Sequence, residues 1–116
     1  MTRCYTFFML LQSTSRWRAL GQDEQHAHHD ALLMRVFESY PELSLRRFDS
    51  TAFAGRCSDV LFWETSDVTQ YHEAVAALRD GGPLGPAWFE VVDVIPAVED
   101  DGHDVDPLLP LRTCTV

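Results

Sequence analysis

Two residue types are missing from this chain of 116 residues, which contains no lysine and no asparagine. Without lysine the chain has no Schiff-base nucleophile, no phosphate-binding P-loop and no Ser–Lys dyad. Positive charge is also scarce, because nine arginines face eighteen acidic residues and the net charge is −9. Such a surface repels phosphate backbones, so nucleic acid is not an expected partner.

Long apolar runs and paired cysteines are missing as well. The run Tyr5–Leu11 is too short to span a membrane, and no small-residue cleavage site follows it. The three cysteines, Cys4, Cys57 and Cys114, include no Cys-x-x-Cys pair, which predicts free thiols in a reducing compartment. We therefore expect a cytoplasmic protein without a membrane partner.

What the chain does have is enough apolar material for one globular domain. Hydrophobic residues make up 46% and aromatic residues 11% of it, which is sufficient for a core at this length. We expect the domain to cover residues 1–98. Residues 99–116 form an acidic, proline-containing tail in this interpretation.

The hydrophobic spacing predicts the element order βαββαβ. The predicted strands and helices are, in chain order, Arg3–Gln12, helix Asp23–Tyr40, Leu43–Ala54, Asp59–Thr65, a helix capped by Ser66 and running to about Asp80, and Trp88–Ile95. Right-handed crossovers turn this order into a ferredoxin-like α+β fold: a four-stranded antiparallel sheet with both helices on one face. The other face would be apolar, so we expect a second copy to cover it and form a homodimer.

Several segments carry a resemblance to a known family. They include Tyr5-Thr-Phe-Phe-Met-Leu-Leu, Trp17-Arg-Ala-Leu and Phe89-Glu-Val-Val-Asp-Val-Ile-Pro. These resemble the darcynin family, small bacterial proteins of unassigned function. The layout is also similar to one repeat of the chlorite dismutase-like proteins, which are dimeric α+β barrels with haem in their C-terminal repeat. This single repeat is closer to the haem-free one, so the resemblance implies a dimeric α+β barrel and does not imply haem. We expect no cofactor.

The histidines of the first helix are the leading candidates for chemistry. If Leu33, Val36 and Phe37 mark the buried stripe, His26 and His29 point toward the sheet, where an imidazole can act as general acid or base. The alternative is that this end of the helix juts into solvent. A third option is a metal site in which these histidines share an ion with Asp30 or His72.

Aromatic and charged residues supply candidate walls for a ligand cavity. Tyr71 is assigned a catalytic role beside the two histidines, and the predicted substrate-binding residues are Tyr5, Phe7, Arg47, Trp63 and Trp88. The alternative for the aromatic residues is a plain core. Glu90 and Asp93 lie three positions apart on one strand, which predicts opposite faces of the sheet and excludes a carboxylate dyad.

We therefore expect a homodimer that binds an apolar small molecule between helices and sheet. In its stronger form the hypothesis is a cofactor-independent isomerase, cyclase or oxygenase acting on an aromatic or polyketide-like substrate. The rival is a non-catalytic binding or accessory protein with a solid core. A metal-dependent enzyme using His26 and His29 is the third reading.

Overall fold

The computed structural model describes residues 4–53 and 55–99 and has the predicted ferredoxin-like α+β architecture. Its elements are β1 (Tyr5–Ser13), α1 (Ser15–Arg18), α2 (Gln22–Ser39), β2 (Leu43–Asp49), β3 (Asp59–Thr65), α3 (Val68–Arg79) and β4 (Phe89–Val98). The short α1 was not predicted as a helix; the hydroxyl of Thr14 caps it by accepting from the Trp17 amide. Apart from Glu99, the predicted tail lies outside the described residues, as does Cys114.

The four strands form one antiparallel sheet in the order β2-β3-β1-β4. Alternation along each strand sends one set of side chains to the helices and the other to the outer face. On the helix side the register aligns Leu61, Met9 and Val94, and the first two are 1% exposed. On the outer face it aligns Phe62, Phe8 and Ile95. The two central strands therefore need apolar residues on both sides.

The predicted rotation of α2 is wrong. Leu32 and Val36 are buried, whereas Phe37, placed by prediction on the buried stripe, is 79% exposed. The helix carries adjacent apolar pairs, Leu32-Leu33 and Val36-Phe37, so two stripes about 100° apart both look apolar. The contact with the sheet selects the stripe through Leu32 and Val36. Within the described residues, neither this helix nor any other has the length and hydropathy needed to cross a membrane.

The second long helix, α3, is well defined at both ends. The Asp67 carboxylate caps it by accepting from the Gln70 amide at 3.2 Å, a role the sequence had placed on Ser66. Gly81 ends it with φ of 71°, a left-handed conformation that favours glycine. The stripe of Tyr71, Ala74 and Leu78 is buried against the sheet.

Two local features of the strands differ from the prediction. Strand β2 ends at Asp49 rather than at Ala54, because the Asp49 carboxylate accepts from the Thr51 amide at 2.9 Å and turns the chain. Strand β4 carries one extra residue, Val92, because Leu10 pairs with Asp93 and Leu11 pairs with Val91. This bulge places Glu90 and Asp93 on the same outer face, so the predicted opposite facing is wrong.

Candidate ligand-binding site

The space beneath α2 is almost completely filled. The remaining void has a volume of about 10 Å³ and is lined by Leu11, Trp17, His28, His29, Leu32, Arg47, Leu61, Pro83, Leu84 and Phe89. A volume of this size holds one water molecule at most. Among the described residues, the space between α2 and the sheet at His29 is therefore too small for the predicted ligand. A larger space of about 360 Å³ lies at His28, between α2 and the turn after α3, and is lined by His28, Ala31, Arg35, Gly81, Gly82, Pro83 and Trp88.

The histidine that packs most closely here is His28. Its ring lies edge-on between Trp17 and Trp88, with centroid distances of 5.2 and 4.9 Å, and its Nε2 is 3.3 Å from the carbonyl oxygen of Pro83. His26, by contrast, is exposed. The spacing of His28, Leu32 and Val36, four residues apart each time, is the sequence signal that would have identified the packed histidine.

A polar network lies beside the half-buried His29. Arg47 donates to Asp59 at 2.6 Å, and Asp59 also accepts from the Ser58 hydroxyl at 2.8 Å. Burial, and then the positive charge of Arg47, lower the pKa of His29 below its ordinary value of 6.5. His29 is therefore a neutral imidazole at pH 7.

The space beside α3 is open. A cleft of about 530 Å³ lies between this helix and strands β1 and β4, lined by Phe7, Met9, Tyr71, His72, Val75, Ala76, Arg79, Val91, Val94 and Pro96. Its volume falls within the range of about 300–1,000 Å³ that is usual for small-molecule sites. Seven of these ten lining residues are apolar, and none carries a carboxylate.

Tyr71 forms the inner wall of this cleft together with Phe7. The two rings stack with centroids 3.8 Å apart and planes within 7° of each other. Only 3% of the Tyr71 residue is exposed. Among the described residues, the buried side-chain nitrogen or oxygen atom without a hydrogen-bond partner is the indole Nε1 of Trp63, which packs behind Tyr71. Burial raises the pKa of Tyr71 to about 12, so the phenol keeps its proton at neutral pH.

Arg79 lies at the other end of the cleft. Its Nη1 donates to the carbonyl oxygens of Leu84 at 3.0 Å and Phe89 at 3.4 Å, which holds the guanidinium in place. No carboxylate within the described part of the chain pairs with it. Residues 71, 72, 75, 76 and 79 lie on one side of α3, a spacing visible in the sequence, yet His72 and Arg79 were not among the predicted ligand-binding residues.

The structure distributes the predicted site residues over two places. Phe7 and Tyr71 line the α3 cleft. The fully buried Trp63 packs behind Tyr71, with the two ring centroids 5.7 Å apart. Beneath α2, His29 and Arg47 line the small void. The remaining three are the exposed His26, the half-buried Tyr5 on the helix side of β1, and Trp88, which packs on His28. Their functional roles stay predictions.

The described residues also bear on the metal hypothesis. Within residues 4–53 and 55–99, no group of three or more histidine, cysteine, aspartate or glutamate side chains is arranged to hold a metal ion. His26 and His29 therefore lack a third ligand in this part of the chain. The cleft beside α3 is the better candidate for binding.

Fold and cleft together define a single-repeat, ferredoxin-like α+β protein with an apolar cleft beneath its second long helix. The family model described as "Darcynin, domain of unknown function" matches residues 1–107. The chain belongs to the darcynin family, which confirms the resemblance seen in the sequence.

Relatives from several bacteria share this family. A darcynin of Chromobacterium violaceum is 45% identical over 74 residues, which are 64% of this chain and 94% of the relative. Darcynin 1 of Acinetobacter baumannii is 33% identical over 82 residues, 71% of this chain and 91% of the relative. A darcynin homolog of Streptomyces avermitilis is 31% identical over 111 residues, 95% of this chain and 91% of the relative.

Solved structures with the same fold are larger proteins. A variant of the chlorite dismutase from Candidatus Nitrospira defluvii superposes with a TM-score of 0.70 at 11% identity, over 86% of this chain and 41% of that one. A protein of Thermus thermophilus described as a novel heme-binding protein has a TM-score of 0.70 at 12% identity, over 86% and 42%. This chain thus spans about two fifths of their length, and the likeness shows the fold alone.

Proposed function

We propose that this protein binds an apolar small molecule in the cleft between α3 and the sheet. The observation that carries the proposal is the cleft itself, which has a volume of about 530 Å³, mostly apolar walls and three polar side chains, those of Tyr71, His72 and Arg79. Binding sites combine these features, since apolar walls supply affinity and a few polar groups set orientation. The space between α2 and the sheet is about 10 Å³, and the space between α2 and the turn after α3 is about 360 Å³, smaller than the α3 cleft.

The predicted isomerase, cyclase or oxygenase chemistry remains a hypothesis attached to this binding site. The three residues assigned to it lie apart, because Tyr71 lines the cleft, His29 lines the small void and His26 is exposed. A general acid or base must come within hydrogen-bond reach of its substrate. We therefore propose binding as the function and assign no proton transfer to the α2 histidines.

The proposal includes a homodimer formed through the outer face of the sheet. Phe48 and Ile95 on this face are 44% and 45% exposed, and between them Phe8 packs on Phe62 with ring centroids 5.1 Å apart. Arg46 lies on the β2 edge and Glu90 on the β4 edge. A twofold pairing that brings β2 of one copy to β4 of the other would join opposite charges and cover the apolar residues.

A cytoplasmic location is part of the same proposal. Cys57 is buried and forms no disulfide among the described residues. Unpaired thiols are typical of proteins from reducing compartments.

Haem is a second candidate ligand, because one solved neighbour is described as heme-binding. The residues of the cleft fit it poorly. Haem iron takes its axial ligand from a histidine nitrogen, a cysteine or methionine sulfur, or a tyrosine oxygen. Met9 and Tyr71 line the cleft but are only 1% and 3% exposed, and Tyr71 is stacked on Phe7. The histidine among the described residues of the cleft, His72, is exposed and packs edge-on against Tyr71 at 5.3 Å. We therefore derive no step through haem.

The methionines allow a direct test of binding. Met9 lines the cleft, whereas Met34 is 54% exposed on α2, so a spectrum of methyl-labelled methionine contains both a reporter and an internal control. Small aromatic compounds added to the protein should shift the Met9 methyl signal and leave that of Met34 unchanged. Haemin provides the rival arm, since saturable binding with a shifted Soret band would favour haem. A Met9 signal that no compound shifts would refute the proposal.

The homodimer has its own test in sedimentation. Ile95→Asp places a charge on the outer face of the sheet and should convert the dimer to monomer. Phe37→Asp, at a residue 79% exposed on α2, is the matched control and should leave the dimer intact. A wild-type protein that sediments as a monomer at all concentrations would overturn this part of the proposal.

A further inference from the structure

We propose that the ligand of the α3 cleft is an elongated apolar anion, an aromatic or alicyclic carboxylate whose acid group meets Arg79 and whose body lies along the Phe7–Tyr71 stack. This inference rests on the proposed binding function and adds the charge, length and orientation of the ligand. Three observations carry it: the sign of charge in the cleft, the spacing of its polar groups along α3, and the packing of Arg79.

The charge of the lining is opposite to that of the whole protein. The chain has eighteen acidic residues and a net charge of −9, yet none of the ten residues lining the cleft is acidic and one, Arg79, is permanently cationic. The other two polar groups are a phenol that keeps its proton and the imidazole of His72. A lining of donors without a carboxylate favours an anion and disfavours an amine.

The spacing of the polar groups sets the length of the ligand. Tyr71 and Arg79 are eight residues apart on α3, which separates their backbones by about 12 Å along the helix axis. Val75 and Ala76 line the cleft between them. An apolar body of two or three fused rings has a length of this order, so it can reach the aromatic stack while its acid group stays at Arg79.

Arg79 is prepared for this contact. The carbonyl oxygens of Leu84 and Phe89 engage Nη1 alone, and a guanidinium has five N–H donors in a fixed fork. Because the fork is already oriented and has no carboxylate partner among the described residues, an incoming carboxylate does not have to displace one. At the inner end, the Tyr71 hydroxyl can donate to a carbonyl or hydroxyl oxygen on the ring system.

The charge preference can be tested on the unaltered protein with three probes of one shape. These are 2-naphthoate, 2-naphthamide and 2-naphthylmethylammonium, and the readout is the shift of the Met9 methyl signal during titration. We expect 2-naphthoate to bind at least about tenfold more tightly than the amide, as a charge-assisted hydrogen bond requires. The ammonium probe should bind most weakly, and added salt should reduce the preference for the acid.

Two arginine variants locate the source of the preference. Arg79→Met should bring the acid and the amide to equal affinity. Arg35→Met removes the same charge from the exposed surface of α2 and should keep the preference. The Met34 signal and the thermal transition report whether each variant is folded. If Arg79→Met does not fold, the three probes on the unaltered protein still test the charge preference.

The outcomes separate the two proposals. If the acid and the amide shift Met9 with equal affinity in the unaltered protein, the anion inference is wrong and the binding function stands. If Arg35→Met abolishes the preference as fully as Arg79→Met, the preference reflects overall charge and the assignment to Arg79 is wrong. If no probe shifts Met9, the proposed function itself fails.

Discussion

The two long helices lie on the same face of one sheet but leave very different spaces beneath them. Between α2 and the sheet, the packed rings of Trp17, His28 and Trp88 leave about 10 Å³, and a separate space of about 360 Å³ lies between α2 and the turn after α3. Beside α3, the Phe7–Tyr71 stack closes only the inner end of a cleft of about 530 Å³. The α2 side is therefore a core and the α3 side a candidate site, although the histidine cluster in the sequence indicated the reverse.

The difference comes from what each side receives from neighbouring segments. The α2 side gains Trp17 from α1 and Leu84 from the segment after α3, and these two side chains are 5% and 1% exposed. The α3 side faces β4, an edge strand whose Val91 and Val94 are only half buried. The residues that line the cleft come from α3, β1 and β4 alone, and no side chain from another segment fills it as Trp17 and Leu84 fill the α2 side.

The largest expected effect comes from truncating one apolar side chain on the α2 side and one on the α3 side. Trp17→Ala should lower the free energy of unfolding by about 3–5 kcal/mol, because it opens a cavity in a filled region. Val75→Ala, in the wall of the open cleft, should cost about 1 kcal/mol or less. Denaturant unfolding at equilibrium measures both. Equal losses from the two changes would contradict the contrast between a filled and an open side.

The ion pair beneath α2 should give the next largest effect. Arg47→Met leaves Asp59, whose side chain is 5% exposed, without its partner and should cost about 2–3 kcal/mol. The loss stays below that of a fully buried pair because 28% of the Arg47 side chain is exposed. Adding Asp59→Asn should recover part of this loss in the same unfolding assay. A double variant as unstable as the single one would show that the charge is not the cause.

The helix caps give a smaller contrast, in which the larger loss of stability is expected on the α3 side. Asp67→Ala removes the cap of α3 and should cost about 1 kcal/mol. The N-cap of α2 is Gly21, which makes no side-chain hydrogen bond, so Gly21→Ser should stabilise the protein by only about 0.3 kcal/mol. Thermal unfolding of the two variants beside the unaltered protein tests both signs.

The smallest expected effect is a pH dependence that belongs to the α2 side. Because burial and Arg47 lower the pKa of His29, the unfolded chain binds its proton first as the pH falls. The stability is therefore fully present above pH 6.5 and falls between that value and the lower pKa of the folded state. His29→Gln should flatten this slope in denaturant titrations between pH 7.5 and 5. An unchanged slope in His29→Gln would refute the assignment.

Most of the fold was predictable because local patterns determine it. The apolar runs of β1 and β3, the helical spacing of apolar residues in α2 and α3 and the turn after α3 were enough to predict the element order and the ferredoxin-like architecture, and the resemblance of several segments indicated the family. The rotation of α2 was not predictable, because Leu32-Leu33 and Val36-Phe37 offer two equally apolar stripes. The bulge in β4 also left no local signal, and it reversed the predicted facing of Asp93.

The candidate site was likewise predictable in part. Phe7 and Tyr71 were predicted as site residues from their chemistry, and the structure places both in one cleft. His29 and Tyr71 were predicted to act together, but His29 lines the small void beneath α2 and Tyr71 lines the α3 cleft. Side-chain type limits what a residue can do, but a shared cavity depends on contacts between segments distant along the chain.

By itself, the sequence determined the elements of this protein, their order, the apolar character of the sheet and the family to which the chain belongs. Hydrophobic periodicity and capping act within a few residues and are therefore readable along the chain. Only the tertiary structure decided which helix covers a core and which borders a cleft. That outcome depends on how Trp17, Leu84 and the edge strand β4 fill space, and packing volume is a property of the assembled fold.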